Sequence, residues 1–130
     1  MQSLAYKTYG QVQQRTTADG DIEYALFKQI TEALRSVEEN SDVVPAVRAD
    51  AISRNLQMWT ILAADLMGEG NVLPQDTRNG LLYLAEFVRR TSMPLLLSGS
   101  GGVSDLIEIN ETIMEGLRGT RAEDTIGEES

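Results

Sequence analysis

The stretch Val103 to Arg118, VSDLIEINETIMEGLR, constrains the fold of this chain more than any other. At about 100° per residue, Leu106, Ile107, Ile109, Ile113, Met114 and Leu117 share one face, with Asp105, Glu108, Glu111 and Glu115 opposite. Near the middle of the apolar face sits Asn110, whose amide costs free energy when buried unless it finds partners. The segment is therefore a helix that something specific must meet. Periodicity alone does not say what.

Three further segments carry the same period. After Asp19, Gly20 and Asp21, which suit a helix start, Ile22, Leu26, Ile30, Ala33, Leu34 and Val37 recur at helical spacing to about Asn40. Ser41 and Asp42 are candidate caps for the next helix, and Pro45 is tolerated in its first turn. Val44, Val47, Ala51, Ile52, Leu56, Trp59, Leu62, Ala63 and Leu66 then cover about half the circumference, wider than a single neighbour requires, which predicts a central position. Gly68 and Gly70 end that helix. Pro74 opens a third, with Leu81, Leu84, Ala85 and Val88 inward, and Pro94 is expected to end or kink it. Residues 1–18, with Leu4, Tyr6, Tyr9 and Val12, show no decisive period and read as a short helix or a docking arm.

With no alternating strand pattern and no internal repeat, these segments predict an all-α bundle of four main helices. Residues 1–118 read as a single helical domain, and 119–130, polar and acidic, as a disordered tail. Only 5% of the residues are aromatic, so Leu, Ile, Val, Ala and Met must build most of the core.

Composition narrows the chemistry. The chain has no cysteine and no histidine, which excludes disulfides, thiol catalysis and the common zinc sites, and removes the usual acid–base catalyst at neutral pH. An enzyme would be confined to carboxylates, hydroxyls and two lysines, so the chain reads as a non-enzyme without cofactor or metal. Eleven basic against twenty acidic residues give a charge of −9, which disfavours autonomous nucleic-acid binding. No apolar run reaches the roughly 20 residues of a membrane span, and the N-terminus has no secretory pattern. A cytoplasmic protein is expected.

Each candidate site has a plain structural reading beside the functional one. Asn55 and Asn110 both project onto apolar helix faces; satisfying a backbone carbonyl or fixing register is favoured over bonding a partner in a groove. Trp59 is read as core before binding anchor. The loop SGSGG at 98–102 lacks the lysine and spacing of a phosphate loop and reads as a flexible linker that lets the last helix dock or swing. Glu108, Glu111 and Glu115 stand at helical intervals, but a bundle metal site wants Glu-x-x-His, so a solvated acidic face is favoured. Arg78, Arg89 and Arg90 are candidates to complement that face.

Several of these residues fall together in a recognisable pattern: Glu23-Tyr24 to Leu34; Asn55-Leu56-x-x-Trp59-x-x-Leu62 with Asp65-Leu66; Leu73-Pro74 leading to Arg78; and Leu106-Ile107-x-Ile109-Asn110-x-x-Ile113-Met114-x-Gly116-Leu117-Arg118. The chain resembles the FlaF family of flagellar biosynthesis regulators from about Tyr6 to Gly119. The Ile-Asn to Gly-Leu-Arg ending is the more specific part, and the acidic tail inherits no role.

That resemblance implies a small non-enzymatic protein needed for flagellin production, acting in opposition to the repressor FlbT and binding flagellin as a secretion chaperone. Flagellin's terminal segments become amphipathic helices on assembly, so their apolar stripes need cover beforehand, and a helix-in-groove mode provides it. The expected contacts are Leu106, Ile107, Asn110, Ile113, Met114 and Leu117, with Phe87, Leu95, Leu96 and Leu97 nearby. Asn55, Leu56, Trp59, Leu62, Leu66, Leu81, Leu84 and Val88 are expected to form the structural core. The alternative is a translational regulator acting on flagellin messenger RNA, directly or together with FlbT.

Overall fold

The computed structural model of the protein describes the backbone of residues 13–129 and the side chains of residues 23–117. Four helices follow one another: α1 (Gln13–Glu39), α2 (Pro45–Met67), α3 (Gln75–Ser98) and α4 (Ser104–Glu129), with no strand among the described residues. The all-α four-helix bundle predicted from the periodicity is what forms. The segment 1–12, and the side chain of Ile22, lie outside the described residues.

The helices are not equal partners. Helix α2 packs closely on α3, and α4 on α1; α1 and α2 also meet, whereas α4 touches α3 only sparsely. Burial follows the same order. Phe27, Ile30, Leu34 and Val37 of α1 and Ala51, Ile52, Met58, Trp59, Leu62 and Leu66 of α2 are sealed in the core. Among the described side chains, from α3 only Ala85 and Val88 join them as apolar residues, and from α4 only Leu106, with Val103 just before it. Phe27 meets Trp59 edge to face, ring centroids 5.9 Å apart, which suits the positive edge of one ring against the negative face of the other. Of the expected core, Asn55, Trp59, Leu62, Leu66 and Val88 are buried, while Leu56, Leu81 and Leu84 are half-buried and pack against it.

Several helix boundaries depart from the sequence expectation. Helix α1 is already formed at Gln13, the first described residue, and runs through Asp19, Gly20 and Asp21, because elongating an existing helix costs less than nucleating one, and one glycine costs only about 1 kcal/mol. Ser41 and Asp42 do not cap α2. Val44 occupies that position without a side-chain bond, Pro45 fills the first turn, and the Asn40 side chain instead accepts the Asp42 N–H at 3.0 Å within the preceding turn. Val44 and Val47 are exposed, so the apolar arc of α2 is buried only from Ala51 onward.

Pro94 neither ends nor breaks α3. Its ring removes one hydrogen bond, to the Arg90 carbonyl, but both residues are exposed, where water can take the carbonyl. Helix α4 continues past Gly119 to Glu129, where the sequence predicts a disordered tail; Arg121, Ala122 and Glu123 are good helix formers that extend a helix already nucleated. Among the described residues, no helix is long and apolar enough to cross a membrane.

Candidate functional site

What the bundle leaves uncovered follows from what ties α4 down. On the α1 side, Arg35 pairs with Glu111, and the Glu38 carboxylate accepts the Val103 N–H at 2.8 Å, supplying an acceptor to the first turn of α4. Across the core, the Trp59 Nε1–H donates to Asn110 Oδ1 at 2.9 Å, and Asn110 Nδ2 donates to Asn55 Oδ1 at 2.7 Å. One amide thus bridges two α2 side chains a turn apart, both fully buried. Asn55 and Asn110 have each other as partners, not a backbone carbonyl.

The 98–102 loop is also restrained, contrary to the expected flexible linker. Gly99 closes α3 in the left-handed conformation, φ 71°, with its N–H on the Leu95 carbonyl at 3.1 Å. Arg48 of α2 donates to that carbonyl at 3.2 Å and to the Gly101 carbonyl at 2.7 Å. Gly101 has φ 108°, and a Cβ there would lie 2.7 Å from the Leu95 side chain. Its glycine answers a backbone requirement, and α4 is held at its start by residues of both α1 and α2.

These restraints decide which expected partner contacts remain at the surface. Leu106 and Asn110 are fully buried and belong to the core; they are not available to another polypeptide in this conformation. Ile107, Ile113, Met114 and Leu117 are half-buried against the core, and so are Leu95 and Leu96. Phe87 is 39% exposed and Leu97 83% exposed. The amphipathic stripe of α4 is thus largely used by the fold, since α1 and α2 both draw on it.

The surplus lies instead where α3 and α4 fail to close. Leu84 and Phe87 of α3 face Ile109 and Thr112 of α4 across a groove of about 290 Å³, with Asp105 and Glu108 among its lining. Tyr83, one turn before Phe87, is 69% exposed. The placement of Phe87 opposite Ile109 is what single-helix periodicity missed, because a groove is a property of two helices and of the distance between them.

The three arginines of α3 bond within that helix. Arg89 and Arg90 both bond Glu86, and the Arg89 hydrogen bond, opposed by some desolvation, holds the Glu86 carboxyl below the usual glutamate range. The Arg89 guanidinium is correspondingly raised by Glu86. Arg78 donates to Gln75 at 2.7 Å. None of these arginines complements the acidic face of α4, as their position suggested; Arg35 of α1 does so, at Glu111.

Among the described residues there is no cluster of three or more metal-ligating side chains. The arrangement offers an apolar trough with an acidic wall, which suits binding of another chain.

The family model for Flagellar protein FlaF matches residues 5–117. Neither the curated proteins nor the solved structures contain a match to the chain. The matched span covers α1, α2 and α3 and the first part of α4 to residue 117, including the Asn55, Trp59 and Asn110 bridge and both walls of the groove. The chain belongs to the FlaF family of flagellar proteins, a membership that implies a role in flagellar biogenesis.

Proposed function

We propose that this protein is a flagellin-binding secretion chaperone and a positive regulator of flagellin synthesis and flagellum assembly, which covers amphipathic helical surface of flagellin before it assembles. The observation that carries the reading is the apolar trough left between α3 and α4, with Leu84, Phe87 and Ile109 at its walls. An unassembled flagellin helix has an apolar stripe to hide, and helix-in-groove docking hides it on a preformed surface. The bundle keeps its own core closed while doing so, because Trp59, Leu106 and Asn110 are buried independently of the groove. Sequestering or delivering a product also alters its synthesis, so regulation needs no direct RNA contact. The residues on which such contact would rest, Arg89 and Arg90, share the carboxylate of Glu86.

The test is co-purification of flagellin with the full-length protein and with Phe87→Asp, whose fold is checked by circular dichroism and thermal melting. The folded variant is expected to lose most of the captured flagellin, because the new carboxylate would be desolvated beneath an apolar ligand. Leu97→Asp, outside the groove lining, is expected to retain it. Undiminished capture by folded Phe87→Asp would overturn the reading.

A further inference from the structure

The groove has a sign as well as a shape. Asp105 and Glu108 lie three residues apart, one turn of α4, and both line the trough. Three other carboxylates near α3 and α4 have a donor: Glu38 takes the Val103 N–H, Glu86 takes Arg89 and Arg90, and Glu111 takes Arg35. Neither Asp105 nor Glu108 takes part in any such ion pair. Two neighbouring like charges beside an apolar floor repel each other, and a cation placed there relieves that repulsion.

The opposite wall, Leu84 and Phe87, contains an aromatic ring, and Tyr83 stands exposed one turn from Phe87. Aromatic faces attract ammonium and guanidinium groups and repel carboxylates. A second copy of this chain is a poor occupant, since a net charge of −9 on each copy opposes association. From Asp105 to Thr112 the groove follows α4 for about two turns, roughly 10 Å.

Building on the chaperone reading, we infer that the segment accepted by this groove is a cationic amphipathic helix: about two turns of apolar anchors lie on Leu84, Phe87 and Ile109, flanked by lysine or arginine side chains that pair with Asp105 and Glu108. The apolar floor supplies contact area, and the unpaired carboxylates set the orientation of the incoming helix and reject acidic ones.

The experiment uses the full-length protein and two synthetic amphipathic helices with the same leucine and phenylalanine face, one with lysine flanks and one with glutamate flanks. Binding is measured by fluorescence anisotropy at low and at physiological salt. The lysine peptide is expected to bind at least about tenfold more tightly, with the difference shrinking as salt screens the charges. Replacing Asp105→Asn together with Glu108→Gln is expected to weaken the lysine peptide about fivefold to tenfold, the scale of two partly exposed ion pairs. Asp50→Asn with Glu69→Gln, which removes the same net charge elsewhere, is expected to change it less than about twofold.

Equal affinity for the two peptides overturns the inference, and so does an equal loss in the remote double variant, which would mean attraction by overall charge alone. The two readings fail separately. Flagellin captured without any lysine preference sinks the cationic helix and spares the chaperone; a rim-dependent lysine preference without flagellin capture does the reverse.

Discussion

The two flanks of α4 differ in what they are used for. Toward α1 and α2 the helix is bonded at three levels, by Glu38 at Val103, by Asn110 at Trp59 and Asn55, and by Arg35 at Glu111. Toward α3 it leaves Ile109 and Thr112 facing Leu84 and Phe87 across open space. The same amphipathic helix therefore supplies core on one side and leaves open apolar surface on the other. A wide apolar arc signals surplus surface only where a neighbour fails to reach it.

The contrast predicts that substitutions on the bonded flank lower stability, whereas those on the open flank lower binding. The largest effect is expected at Trp59→Ala, which removes a buried indole and strands the Asn110 carbonyl. It should cost about 3–5 kcal/mol in urea unfolding. Asn110→Ala follows at about 1–3 kcal/mol, since it leaves the indole N–H and the Asn55 oxygen without partners in a dry site. Because the two amides share one hydrogen bond, Asn55→Ala combined with Asn110→Ala should cost less than the two single losses added together; strict additivity would mean that the bridge contributes nothing.

Gly101→Ala comes next. Its positive φ and the close Leu95 side chain predict a loss of about 1–2 kcal/mol, read as a lower melting temperature, with faster amide exchange at the start of α4 if the loop tether matters. Phe87→Ala, on the open flank, should cost at most about 1 kcal/mol of stability while weakening flagellin capture. A Phe87→Ala variant as destabilised as Trp59→Ala would erase the distinction between the flanks.

The smallest effect concerns acid. Glu86 has its folded-state pKa depressed chiefly by the Arg89 hydrogen bond, so its contribution is present above the ordinary glutamate range and is lost as pH falls through the lowered value. All three side chains are at the surface, so the change in stability should be slight. Carboxyl-carbon NMR should show Glu86 titrating below a free glutamate in the parent and moving back up in Arg89→Ala.

The sequence revealed the helices, their inward faces and the interior position of Trp59, because a 3.6-residue period survives whatever the neighbours are. It also placed Asn55 and Asn110 on apolar faces, yet could not join them, since their contact spans 55 positions and depends on how α2 and α4 cross. Local signals failed where tertiary context outweighed them. The Asp19 to Asp21 start was overridden by helix elongation, Pro94 was accommodated at the surface, and the 98–102 loop and the Val103 that follows it were tied by Arg48 and Glu38 from other helices. The groove was hidden for a similar reason: nothing in α4 alone says that its second neighbour stands off.

The only tryptophan in the chain is bonded through its indole N–H to the middle of α4. The protein thus carries an intrinsic optical gauge of its own last helix. While α4 is seated, the chromophore is dry and its emission should lie toward the blue; if cargo loading levered α4 away, water would reach the ring and the spectrum would move red. An unlabelled sample mixed with its cargo in a cuvette would then distinguish a rigid cradle from a hinged one.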